Sequence, residues 1–365
     1  MAQLNLDKAK DALVIVLGLV LLLNIFLASG LDGLISEKVA LLKESVKPAK
    51  LQLTIIEDKT CKDCSEITTT VDSIKRANVE ITKEEKLDFS SAKELVKKYG
   101  IKKIPTIIIV GEINKTKFGD FEEKDGVLLF IKQTPPYTDA ISGKVEGRVS
   151  LIHLKDGGCG KCTKLSQVIE ELKKNVKIAD EKEVDINSSE GKMLISKYSV
   201  KQIPTLILSK ELSIYAVSEG WSNVGSIEED GSYVMRGISP PYTDTLTNKV
   251  VGLVGLTMLA DKSCTECYDV AMHKQIIPQY GVASLESEKT VDVSDSEGKA
   301  LIEKYGIKLV PTIILSKDAD VYPALKQIWQ QVGSVEDDGT YIFRKLSDLG
   351  VPYKDLTTGE IIKSK

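Results

Sequence analysis

The chain repeats itself three times, and two fixed points hold the repeat in register. Cys61/Cys64, Cys159/Cys162 and Cys264/Cys267 are Cys-x-x-Cys pairs whose first cysteines lie 98 and 105 residues apart. Pro105, Pro204 and Pro311 stand in Ile-Pro-Thr, Ile-Pro-Thr and Val-Pro-Thr, separated by 99 and 107 residues. Each proline follows its first cysteine by 44, 45 or 47 residues. Self-similarity at a fixed period marks one structural unit used repeatedly. The 365 residues therefore divide into several domains rather than one.

Within each unit the order of elements is readable. An apolar run, LQLTIIED, VSLIHLKD or VGLTMLAD, reads as a buried strand and ends three residues before the first cysteine. The pair then opens a helical stretch such as CTKLSQVIEELKK. An alternating strand with an acidic residue (KLDFS, EVDIN, TVDVS) leads to a second helix (AKELVKKYGI, GKMLISKYSV, GKALIEKYGI). The proline starts another strand, and Asp125-Gly126, Asp230-Gly231 and Asp338-Gly339 signal hairpin turns before a last one. TPPYTD, SPPYTD and GVPYKD read as domain joints, because proline interrupts helix and sheet alike. The predicted module is β-α-β-α-β-β, giving an α/β chain with domains over 50–140, 147–245 and 249–357.

This order, with Cys-x-x-Cys at the first helix start and a proline-led strand about forty-five residues later, resembles the thioredoxin superfamily. The resemblance implies a sheet flanked by helices, with Ile104-Pro105, Ile203-Pro204 and Val310-Pro311 in cis, packed against the cysteines and serving the substrate. It also shows departures. No unit has a Trp before the first cysteine or Gly-Pro between the pair; the dipeptides are Lys-Asp, Gly-Lys and Thr-Glu. Six residues before the first cysteine, where thioredoxins bury an acid, stand Ile55, His153 and Met258, so the usual proton acceptor is missing.

Three uses of the cysteines compete: half a zinc site, inert structural disulfides, or a dithiol–disulfide couple. Zinc wants two pairs 12–20 residues apart or nearby histidines. Here three pairs stand about 100 residues apart, with only His153 and His273 in the chain, so no metal site is expected. A cysteine at a helix N-terminus is stabilised as the thiolate, which favours redox chemistry. Cys61, Cys159 and Cys264 are the expected nucleophiles, and Cys64, Cys162 and Cys267 resolve the mixed disulfide. Lys161 inside the second pair adds positive charge with no acid beside it, whereas Glu266 adds negative charge and Lys62 and Asp63 cancel. Cys159 is thus expected to have the lowest thiol pKa and Cys264 the highest. His153 is a further tuning candidate, though a strand histidine is more often a core residue. Asp58, Asp156 and Asp261 read as turn residues, and Trp221 and Trp329 as module core.

One segment lies outside the repeat. Ala12–Ser29 has eighteen uncharged residues, of which only Asn24 and Ser29 are polar. At 1.5 Å per residue that is roughly the thickness of a bilayer's hydrocarbon core. Residues 1–31 read as an uncleaved anchor in preference to a signal peptide cut after Gly30, with 32–49 as a juxtamembrane helix or linker. Six paired cysteines suit an oxidising compartment. The sequence-based expectation is a membrane-anchored thiol-disulfide oxidoreductase facing outside the cytoplasm. Its partners are client proteins with cysteines or disulfides and a redox partner that recharges the pairs. The alternative is a non-catalytic binding or scaffold protein with structural disulfides. No cofactor is called for. The 49 basic and 53 acidic residues are interspersed, which gives no footprint for nucleic acid.

Overall fold

The computed structural model describes residues 47–363 and, ahead of them, Leu17, Val20, Leu21, Lys38 and Val39. Apart from those five helical residues, the expected anchor and juxtamembrane segment lie outside the described residues. Among the described residues, no helix is long and apolar enough to cross a membrane. The described residues form two compact units that divide between Glu146 and Gly147. The first holds one cysteine pair, and the second holds two modules, each with its own sheet.

In the first unit, strands β1 (Ala49–Glu57), β2 (Val79–Asp88), β4 (Thr106–Gly111), β5 (Phe121–Lys124) and β6 (Val127–Phe130) form a sheet ordered β2-β1-β4-β6-β5. The pair β1/β2 is parallel, joined through helix α1 (Thr68–Arg76), and β4 runs antiparallel to β1. Successive side chains on a strand point to opposite faces, and here both faces are covered. Ile107 and Ile109 pack with Leu53, Ile55, Val71 and Ile74, while Ile108 packs with Ile56, Val96 and Tyr99 beneath helix α2 (Lys93–Tyr99). A strand buried on both sides has no polar face to keep, which is why the run IIIV at 107–110 is continuously apolar. Asp125 and Gly126 both have positive φ, at 50° and 75°, as the tight turn between β5 and β6 requires.

The second unit repeats the sheet twice. β9 (Val149–Lys155), β10 (Ile178–Asp185), β12 (Thr205–Leu208), β13 (Gly225–Ile227) and β14 (Tyr233–Met235) take the order β10-β9-β12-β14-β13. β17 (Val254–Ala260), β18 (Leu285–Asp292), β20 (Thr312–Leu315), β21 (Gly333–Val335) and β22 (Tyr341–Phe343) do the same. Helices α3 (Ser166–Asn175) and α4 (Ser189–Tyr198) match α1 and α2, and Ser188 Oγ caps α4 by accepting from Gly191 N–H. In the third module the first helix shrinks to His273–Ile276 (α5) between 3₁₀ turns, since Pro278 withholds a backbone donor just beyond it. The second is intact as α6 (Ser296–Tyr305), and an unforeseen α7 (Pro323–Val332) carries Trp329. Trp221 and Trp329 are buried, with Nε1 donating to the carbonyls of Ser226 and Ser334, as expected of core residues.

Each module has a sheet flanked by helices, as the resemblance implies, but two expectations need correction. The sheet has five strands rather than four, because the residues before each hairpin turn also pair. The PPYTD segments are not joints. β7 (Tyr137–Asp139) pairs with β3 (Lys103–Ile104) and β8 (Val145–Glu146), aligning Thr138 with Ile104. β15 (Tyr242–Asp244) lies between β11 (Gln202–Ile203) and β16 (Lys249–Val251), and β23 (Tyr353–Asp355) between β19 (Leu309–Val310) and β24 (Ile361–Ile362). The paired elements of the modules thus run to Glu146, Val251 and Ile362, beyond the ends expected at 140, 245 and 357.

Candidate active sites

Each cysteine pair sits in a turn built by an aspartate. The carbonyls of Asp58, Asp156 and Asp261 accept from the N–H of Cys61, Cys159 and Cys264 at 3.0, 3.1 and 3.0 Å. One carboxylate oxygen of each, Oδ1, accepts from the N–H of Thr60, Gly158 or Ser263 two residues on. This is the Asx turn the sequence suggests for them. All six cysteines are paired as the disulfides Cys61–Cys64, Cys159–Cys162 and Cys264–Cys267.

The helices do not begin at the cysteines. α1 and α3 start at Thr68 and Ser166, seven residues after Cys61 and Cys159, and the third module has only a 3₁₀ turn from Val270. A helix dipole acts within about its first turn, so the thiolate stabilisation expected from helix starts is not supplied there. The residue just after each pair is held instead by the PPYTD segment. Ser65, Thr163 and Tyr268 donate their N–H to the carbonyls of Pro136, Pro241 and Pro352 at 2.9, 2.8 and 2.9 Å.

In the first two modules the same segment delivers a side chain to the second sulfur. Thr138 Oγ1 lies 3.8 Å from Cys64 Sγ and donates to Asp58 Oδ2 at 2.7 Å. Thr243 Oγ1 lies 3.6 Å from Cys162 Sγ and donates to Asp156 Oδ2 at 2.7 Å. In the third module Lys354 takes the same strand position, opposite Val310, and its Nζ bonds Asp261 Oδ2 at 2.7 Å. Burial works to raise the Asp58 carboxyl, but hydrogen bonds from Thr60 and Thr138 outweigh it and hold the group below its ordinary value. At Asp261 burial is likewise outweighed, by Lys354 and Ser263.

The prolines complete the geometry. Ile104–Pro105, Ile203–Pro204 and Val310–Pro311 are cis, as are Pro135–Pro136 and Pro240–Pro241. The chain crosses from the small sheet to the large one at each cis bond of the first set. In the second module an open cavity of about 400 Å³ is lined by Cys159, Cys162, Pro204, His153 and Glu183. Cys159 is partly exposed there, whereas Cys61 and Cys264 are each 8% exposed. His153 Nδ1 lies 3.5 Å from Glu183 Oε1, Nε2 is buried without a partner, and burial lowers its pKa. Ile55 and Met258, at the same position in their modules, are core residues.

The tuning charges differ from expectation. Lys161 does have an acid near it: Nζ donates to the carbonyl of Glu286 at 2.7 Å and lies 3.4 Å from its carboxylate, on β18. Glu266 is paired with Lys363 at 2.5 Å. Asp63 Oδ1 stands 3.7 Å from Cys61 Sγ, an acid beside the first nucleophile. These pairings remove the ground for ranking Cys159 lowest and Cys264 highest. Sequence reasoning missed Thr138, Thr243 and Lys354 altogether; their signal was that PPYTD keeps the same period as the cysteines.

No family model matches the chain, and no curated protein matches it. Among solved structures, a crystal form of ERdj5 is similar at 12% identity, over 76% of this chain and 39% of that one, with a TM-score of 0.16. Zinc-bound human ERp44 is 13% identical over 78% of this chain and 88% of that one, with a TM-score of 0.16. The alkylhydroperoxide reductase protein AhpF from Enterococcus faecalis is 17% identical over 46% of this chain and 81% of that one, also with a TM-score of 0.16. The chain thus spans about two fifths of the ERdj5 chain.

Proposed function

We propose that this chain is a thiol-disulfide oxidoreductase acting on cysteines of client proteins outside the cytoplasm, held at a membrane by residues 12–29. One observation carries the reading: the Cys159–Cys162 disulfide and the cis peptide at Pro204 line one open cavity, where a client sulfur can reach Cys159 beside an extended segment. The exchange runs through a mixed disulfide. With the site reduced, the Cys159 thiolate attacks a client disulfide, one client sulfur leaves as thiolate, and Cys162 then displaces the other. Run backwards, the same steps oxidise a client dithiol. A separate redox partner restores the starting state.

A second reading, that the first and third pairs are structural disulfides in binding modules, is favoured by the low exposure of Cys61 and Cys264. Reduction potentials separate the two, measured against glutathione in full-length chains that keep one pair each. Structural disulfides typically lie below about −300 mV and exchanging ones above. The expected result is a second pair above that limit; all three pairs below it would contradict the proposal.

A further inference from the structure

Thr138, Thr243 and Lys354 occupy equivalent strand positions, so the surroundings of the cysteine pair differ between the first two modules and the third. Thr138 and Thr243 are 0% and 2% exposed, so water does not compete for their hydroxyls. Each hydroxyl has one hydrogen, and a carboxylate takes it through a charge-assisted bond. Only oxygen lone pairs then remain to face Cys64 or Cys162. A lone pair accepts from a thiol S–H but gives nothing to a thiolate, and bonding to the neutral form disfavours the charged one. The negative charges of Asp58 and Asp156, one hydrogen bond further away, act in the same direction. In the third module the same strand position supplies an ammonium in place of the hydroxyl, and its ion pair with Asp261 offsets the carboxylate charge that stands unopposed in the other two.

Resting on the redox reading above, we propose that residues 138, 243 and 354 set the ionisation of the second cysteine: Thr138 and Thr243 hold Cys64 and Cys162 as thiols, and Lys354 favours the Cys267 thiolate. The consequence falls on the resolving step. In that step the second cysteine loses its proton to solvent, attacks the first sulfur to form the intramolecular S–S bond, and breaks the bond to the client. The client sulfur leaves with the bonding pair and is protonated from water. The intramolecular disulfide so formed retains the oxidation that the mixed disulfide carried. A second cysteine kept protonated makes this step slow, so the first two centres hold clients in long-lived mixed disulfides, and the third releases them quickly. Other charges face these sites as well. Asp63 stands at the first, the Lys161–Glu286 pair and His153 at the second, and the Glu266–Lys363 pair at the third.

The test uses full-length chains that keep a single second cysteine, with the other five replaced by Ser. Its thiol pKa is read from the pH dependence of iodoacetamide alkylation. Thr138→Lys is expected to lower the pKa of Cys64 by about one unit, roughly tenfold more thiolate at a given pH. Lys354→Thr is expected to raise that of Cys267 by as much. Asp58→Asn keeps the turn-capping oxygen and frees the Thr138 hydroxyl to donate to sulfur. It gives a second variant whose pKa also falls, should Thr138→Lys not fold. In chains retaining one intact pair, the mixed disulfide formed with oxidised glutathione should be resolved about tenfold faster in Thr138→Lys than in its parent. Unchanged or oppositely shifted pKa values would overturn the inference. Alkylation needs no client, so this outcome is distinct from failure of the redox reading, in which none of the pairs exchanges at all.

Discussion

At the scale of single residues, burial turns an ordinary histidine into a source of acid sensitivity. His273, set aside by the sequence as a failed metal ligand, is a core residue whose Nε2 meets the Tyr268 hydroxyl at 3.1 Å. Burial holds its pKa to about 4, below the 6.5 of an unfolded chain. As pH falls, the unfolded chain takes up this proton first. Stability is therefore lost from about pH 6.5 down to about pH 4, by roughly 3 kcal/mol in all. Urea unfolding of the full chain across that range should show the loss for the wild type and a smaller one for His273→Leu. The cysteines, the prolines and the aspartates were legible in the sequence, because each keeps a fixed spacing and acts through its own turn. Asp58 is a case in point. Its role as a turn residue was visible from its place three before Cys61, but the use of its second oxygen was not. That use depends on Thr138, eighty residues away in the chain.

At the scale of elements, strands were the clearest, since apolar runs such as IIIV at 107–110 had no polar face to confuse the period. The first helix was misplaced because its apolar spacing continues back through the cysteine turn, whose backbone is claimed by Asp58 and Pro136. The PPYTD strands were missed because two prolines argue against sheet, and only the tertiary partner, the strand before the cis proline, makes room for them. Propensity misleads again at Gly191 and Gly298 in α4 and α6. Helix propensity alone says alanine would stabilise both by about 1 kcal/mol. Yet an added Cβ would stand 2.1 Å from the Asp185 carbonyl oxygen and 2.0 Å from that of Asp292. Gly191→Ala and Gly298→Ala are expected to destabilise by about 1–3 kcal/mol, read from chemical denaturation. A gain in stability would show that the helices shift freely against their strands.

At the scale of the whole molecule, the threefold repeat gave the architecture, and departures between copies give the function its texture. The second centre is the most open of the three, and it is also the one whose intervening lysine is engaged by the next module. Glu286 partly neutralises Lys161, a pairing across 125 residues that no local pattern reveals. Glu286→Gln should leave Lys161 bonded to the backbone while restoring its full charge. The thiol pKa of Cys159 is then expected to fall by roughly a few tenths of a unit at low salt and less at high salt, as measured by thiolate absorbance. No change at low salt would mean that Lys161 does not tune the site. The measurement that bears most directly on the central claim is capture of clients by the full chain. Cys64, Cys162 and Cys267 are each replaced by Ala, the protein is expressed with its N-terminal segment intact, and thiols are quenched with acid before non-reducing electrophoresis. The account predicts adducts that vanish on reduction, most abundant for Cys162→Ala. If none of the three variants traps a protein, the chain does not exchange disulfides with clients, and its cysteine pairs are structural.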